Sequence, residues 1–181
     1  MTTPPVVRRS DLPLESRIAD RFRGATLADA YTVTLPTDAG EIDVIAERAL
    51  GRPGPVFRAA LALRDAVMGS FGVKTSDRIR AELAERSADH IDFFPVLSRS
   101  QTEIILGEDD RHLDFRLSLL LRKSAGQREL VATTVVHCHG LLGRAYLATI
   151  MAGHVIVVRS ALAKAAASNQ TGTRHAPQRT L

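Results

Sequence analysis

Two histidines one residue apart, His137 and His139, are the sharpest chemical signal in the chain. On a strand, residues i and i+2 point to the same side, so the two rings stand side by side about 7 Å apart. That spacing suits two ligands of one metal ion, with Asp114 or His112 on a neighbouring strand, or His154, as the third. Without a metal, the same set offers a carboxylate and imidazoles for acid–base chemistry. A plainer reading stands beside these: His139 faces solvent at the strand end and His137 hydrogen-bonds a neighbouring strand. Cys138 points the opposite way, which excludes a Cys–His nucleophile pair across this strand and leaves a buried, inert thiol.

Asp109, Asp110, Arg111, His112, Asp114 and Arg116 form a dense charged run. Read structurally, it is a corner held by ion pairs, with Asp109 or Asp110 accepting backbone hydrogen bonds in a turn. Read functionally, Asp114 and Arg116 line a cavity, where carboxylate and guanidinium orient a polar head group. Arg64 interrupts an otherwise apolar helical pattern and needs a partner if buried, for which Asp110 or Asp114 is a candidate in a structural ion pair. Tyr146 and His154 are eight residues apart, just over two helical turns, and share a helix face. If that face is covered by a sheet, both enter the space between.

The elements that must hold these groups follow from hydrophobic period. Leu27 to Leu35 alternates and reads as a first strand; Glu41 to Leu50 places Ile42, Ile45, Ala46 and Ala49 on one helical face. Residues 56–71 read as a second helix, apolar around more than half its circumference. Asp77 to Arg86 reads as a short surface helix or a mobile stretch. Asp92 to Leu97 and Glu103 to Leu106 flank a turn at 98–101. His112 to Lys123 then sets Leu113, Phe115, Leu117, Leu119 and Leu121 against His112, Asp114, Arg116 and Ser118, so one face meets the core and the other meets water or a polar cavity. A turn at Ser124–Gly126 leads to Arg128–His139, apolar on both faces and so central in its sheet. Leu141 to Ala167 is a long apolar helix.

With 181 residues the chain is of single-domain size. The boundaries expected are an N-terminal arm over 1–26, one domain over 27–167 and a disordered tail over 168–181. The net charge of +4 comes largely from arginine, much of it near the termini. No basic reading helix, aromatic ribonucleoprotein motif or zinc-finger spacing accompanies it, so no nucleic-acid partner is expected. One cysteine makes no internal disulfide. The N-terminus lacks the apolar run of a secretory signal, and the apolar stretch Ala145–Val158 is shorter than the roughly 20 residues a bilayer requires. The expectation is a cytoplasmic protein without a membrane partner.

The order strand, two helices, antiparallel meander and long C-terminal helix resembles the helix-grip fold of the START and polyketide-cyclase/Bet v 1-like (SRPBCC) superfamily. The fold class expected is therefore α+β, a curved antiparallel sheet gripping a long C-terminal helix, although only five strands are distinct in the sequence. Closer at the residue level is an uncharacterised bacterial family, domain of unknown function family 2867. The resemblance is carried by Gly51-Arg52-Pro53, Leu61-Ala62-Leu63-Arg64-Asp65, Gly72-Val73-Lys74-Thr75, Phe94-Pro95-Val96-Leu97, the run Leu106 to Arg116, Leu142-Gly143-Arg144-Ala145-Tyr146 and His154. It departs from the expected pattern at Ala152-Gly153, which loosens the helix there. That resemblance implies the fold and no established activity. Some members resemble attachments to nucleotide-binding domains, but no glycine-rich nucleotide loop occurs here and no cofactor is expected.

Three readings of function follow. The first is binding of a small, mostly apolar molecule between sheet and C-terminal helix, with Asp114, Arg116, Tyr146 and His154 as polar contacts. The second is a cyclase, dehydratase or hydrolase using His137, His139 and Asp114, with or without metal. The third is a homodimer or partner-binding module built on the apolar excess of 141–158, for which Val157→Asp is the natural probe.

Overall fold

The computed structural model describes residues 5–52, 54–55, 57–59, 61–62, 65, 76–85 and 88–167. In chain order the elements are β1 (Arg8–Ser10), a single 3-10 turn (Ala19–Phe22), β2 (Leu27–Thr34), α1 (Ile42–Leu50), α2 (Ser76–Glu85), β3 (His90–Ile91), β4 (Phe94–Arg99), β5 (Glu103–Asp109), β6 (Leu113–Ser124), β7 (Gln127–Cys138) and α3 (Gly140–Ala166). Residues 57–59 and 61–62 are also helical. The remainder of the second expected helix, and the tail from 168, lie outside the described residues.

All seven strands belong to one antiparallel sheet, in the order β1-β2-β7-β6-β5-β4-β3. The alternation read in β6 has a direct outcome: Leu113, Phe115, Leu117 and Leu119 face α3, while Asp114, Arg116 and Ser118 face the other way. β7 lies between β2 and β6, and both its faces are apolar because α3 covers one and the N-terminal segment the other. The β6–β7 hairpin closes through Ala125 (φ 48°) and Gly126 (φ 78°), two left-handed residues in succession. That is the turn whose twist matches the strands it joins. The stretch expected as one strand over 92–97 is instead a hairpin: β3 and β4 meet through Asp92 (φ 53°) and Phe93.

The helix α3 crosses the concave face of the curved sheet, completing an α+β helix-grip architecture. It is bent by 56° between Gly140–Met151 and Gly153–Ala166, where Ala152-Gly153 interrupts it. Its second half meets α1, and Ile42, Ile45, Ala46, Leu162 and Ala165 join Val33, Leu106, Leu119 and Leu130 in the main core. The α1 face read from periodicity is the buried one. Arg48, in the last turn of α1, donates to the carbonyl oxygen of Ala165 at 3.1 Å, a cation placed against the carbonyl end of α3. At its other end, α3 sits on the sheet without a spacer. A Cβ on Gly143 would collide with the His112 carbonyl oxygen and come within 3.3 Å of Cys138 Cβ, so only glycine permits this approach.

The convex face is covered by residues 11–26, which follow the edge strand β1. Leu12 packs on Ala30, Leu120 and Val131; Ile18 and Phe22 pack on Ile105 and Val135. Beneath them Glu103, only 2 % exposed, accepts hydrogen bonds from Ser16 Oγ (2.5 Å), Ser118 Oγ (2.6 Å) and the Arg17 backbone N–H (3.0 Å). Among the described residues, no single helix is long and apolar enough to cross a membrane.

Candidate functional site

Between the concave face and α3 lies a cavity of about 300 Å³. The sheet contributes Leu113, Phe115, Leu117 and Leu119 from β6 and Ala132, Thr134 and Val136 from β7; α3 contributes Tyr146, Ile150, His154, Val157, Val158 and Leu162. One end is aromatic. Phe93 and Phe94 have ring centroids 4.0 Å apart, Phe57 stacks on Phe94 at 6.3 Å with planes 16° apart, and Phe115 meets Phe94 edge-on at 6.2 Å. Arg80 on α2 backs this end. Its guanidinium pairs with Asp92 through two hydrogen bonds (2.8 and 3.1 Å) and lies 5.6 Å from the Phe93 ring centre.

The other end holds a buried, hydrogen-bonded couple. His154 Nε2 lies 3.1 and 3.0 Å from the two carboxylate oxygens of Asp29, whose side chain is 5 % exposed. Strand register explains how Asp29 arrives there. Across β2, β7, β6 and β5, Asp29, Thr134, Leu117 and Leu106 form one row, and Leu27, Val136, Phe115 and Glu108 the next. Glu108 therefore reaches the cavity three strands away from Asp29, about 14 Å across the sheet from the strand spacing. Leu117, Val136 and Phe115 lie between them on the sheet. Thr149, also on the wall, spends its hydroxyl on the Ala145 carbonyl at 3.0 Å.

The residues singled out in the sequence divide between two faces. Tyr146 and His154 line the cavity together. Asp114 and Arg116 do not: their side chains project from the convex face, because β6 turns its leucines inward. Arg116 is buried there and pairs with both oxygens of Asp109 (2.6 and 2.9 Å) and with the Phe115 carbonyl (2.8 Å). This pair needs Gly107, opposite Arg116 in the ladder, since a Cβ there would strike the Phe115 carbonyl oxygen and lie 2.8 Å from Arg116 Cδ. The arginine holds the Asp109 carboxyl below the usual carboxylate range by hydrogen bonding.

The histidine pair is split in purpose. His137 Nε2 lies 2.9 Å from the Arg21 carbonyl oxygen, in the covering arm. His139 sits at the start of α3, with Nε2 3.1 Å from Asp114. His112 contributes its carbonyl oxygen to the His139 N–H at 2.8 Å. Among the described residues, no three His, Cys, Asp or Glu side chains are grouped to hold a metal ion. His137, His139 and Asp114 belong to the convex side and the sheet end, so the enzyme reading built on them does not meet the cavity. Asp110 accepts from the Arg111 N–H at 2.6 Å; its expected pairing with Arg64 lies outside the described residues. Val157 lines the cavity, so it is not an outward position; Leu141 (84 % exposed) and Ile156 are.

Asp29 escaped the sequence reading. The signal was present: alternation places Asp29 on the same strand face as Tyr31 and Val33, a single carboxylate on an apolar face.

A curved antiparallel sheet closing on a bent C-terminal helix around an apolar cavity defines an α+β protein of helix-grip type. The model of the family described as Protein of unknown function (DUF2867) matches residues 21–161, and the chain belongs to that family. No curated protein and no solved structure matches the chain.

Proposed function

We propose that this protein binds a small, mostly apolar molecule in the cavity between the sheet and the C-terminal helix. The observation that carries the reading is the wall itself: about 300 Å³ bounded mainly by leucine, valine and four phenylalanines, with few polar groups. Such a volume stands at the lower limit of those that take small ligands, and a mainly apolar surface with few placed polar groups is their usual chemistry. A cavity of this size left without a guest forgoes dispersion contacts along its whole lining.

Native mass spectrometry of protein isolated from its source cells tests the reading. A noncovalent adduct is expected in the wild type and is expected to be lost in Val157→Phe, which fills the cavity from α3. A wild type that carries no adduct and takes up no naphthalene in solution sinks it.

A further inference from the structure

The Asp29–His154 pair specifies more than an apolar guest. A carboxylate has no proton to give, so the imidazole must donate from Nε2, and a neutral ring then carries its lone pair on Nδ1. No hydrogen bond among the described residues engages Nδ1, while His154 forms part of the cavity wall. Asp29 is fixed on β2 and His154 on α3, so the acceptor is held between two packed elements and not on a loop. Among the described residues, the other titratable groups of the wall are Tyr146, on the same helix, and Glu108, on β5; both make interactions of their own. No lysine or arginine is among the described lining residues. An anionic guest would meet the Glu108 carboxylate on the wall, which disfavours a fatty-acid-like ligand.

We infer that the guest is an uncharged apolar molecule bearing one hydroxyl, a phenol or enol, whose O–H is donated to Nδ1 of His154. Asp29 acts as a positioning residue, fixing which ring nitrogen accepts. This inference rests on the cavity being a ligand site. A site built to receive a hydrogen bond discriminates against an analogue that lacks the donor, because its own acceptor is then left unpaired.

The experiment compares 2-naphthol with 2-methoxynaphthalene by calorimetry on the full chain. The two share one apolar body and differ in the donor. The expected result is binding of both, with 2-naphthol tighter by about tenfold. The preference should fall to near one in Asp29→Asn, where an amide can present either a donor or an acceptor to Nε2, and thermal unfolding reports whether that variant is folded. If both compounds bind equally to the wild type, or the methoxy compound binds tighter, the hydroxyl assignment is overturned while the cavity reading stands. Binding of neither overturns both. The wild-type comparison decides the matter even if the variant does not fold.

Discussion

A carboxylate withdrawn from water must be answered by hydrogen bonds or an opposite charge, and three strands carry one each. Glu129 takes Arg8 and Arg122, Glu103 takes two hydroxyls and a backbone N–H, and Asp29 takes His154. Removing His154 alone leaves Asp29 buried without an answer, so His154→Leu should cost about 3 kcal/mol. The double variant Asp29→Leu/His154→Leu should be more stable than His154→Leu, and denaturant titration of these two, Asp29→Leu and the wild type measures the coupling. Gly107→Ala should cost about 1–3 kcal/mol by overpacking, and lower the melting temperature accordingly. The sequence announced Arg116 and Asp109 as charged neighbours but not their geometry. Their pairing depends on an absent side chain, Gly107, on an adjacent strand. A residue's value as a gap is visible only once the register is known.

At the level of elements, period was a sound guide wherever one side of an element is dry. The inward faces of α1 and β6 follow directly from spacing, and an unbroken apolar stretch announced α3 as a core helix. What spacing does not say is which side of a sheet is inside when both are covered. Residues 11–26 cover the convex face, so the polar row of β6 is sheltered too, and Asp114 and Arg116 lie on that side instead of in the cavity. Glu103 is the peg for that cover. Glu103→Ala should release it, and trypsin should then cut at Arg17, Arg21 and Arg23 much faster than in the wild type, as read by mass spectrometry of the fragments. Unchanged cleavage would mean that Ile18 and Phe22 hold the cover through apolar contact alone.

For the molecule as a whole, a fork at Arg99 links the helical layer to the far edge of the sheet. Its guanidinium bonds both oxygens of Asp89 (2.6 and 2.7 Å), just before β3, and also Asp43 on α1. Hydrogen bonding by Arg99 lowers the Asp89 carboxyl below its usual range, as Arg116 does for Asp109. Both carboxylates therefore contribute stability above about pH 4, and that contribution is lost as the pH falls through their depressed values. Because both are more than half exposed, the loss is a small step. Denaturant midpoints at pH 6 and pH 3 should differ less in Asp89→Asn than in the wild type. The contact of α3 with Cys138 provides a clock. The chain's one thiol lies half-buried where Gly143 presses on the sheet, so lifting that end of the helix should speed its reaction with a maleimide dye. The alkylation rate therefore rises with the frequency of lifting, and a guest seated under the same helix should slow it.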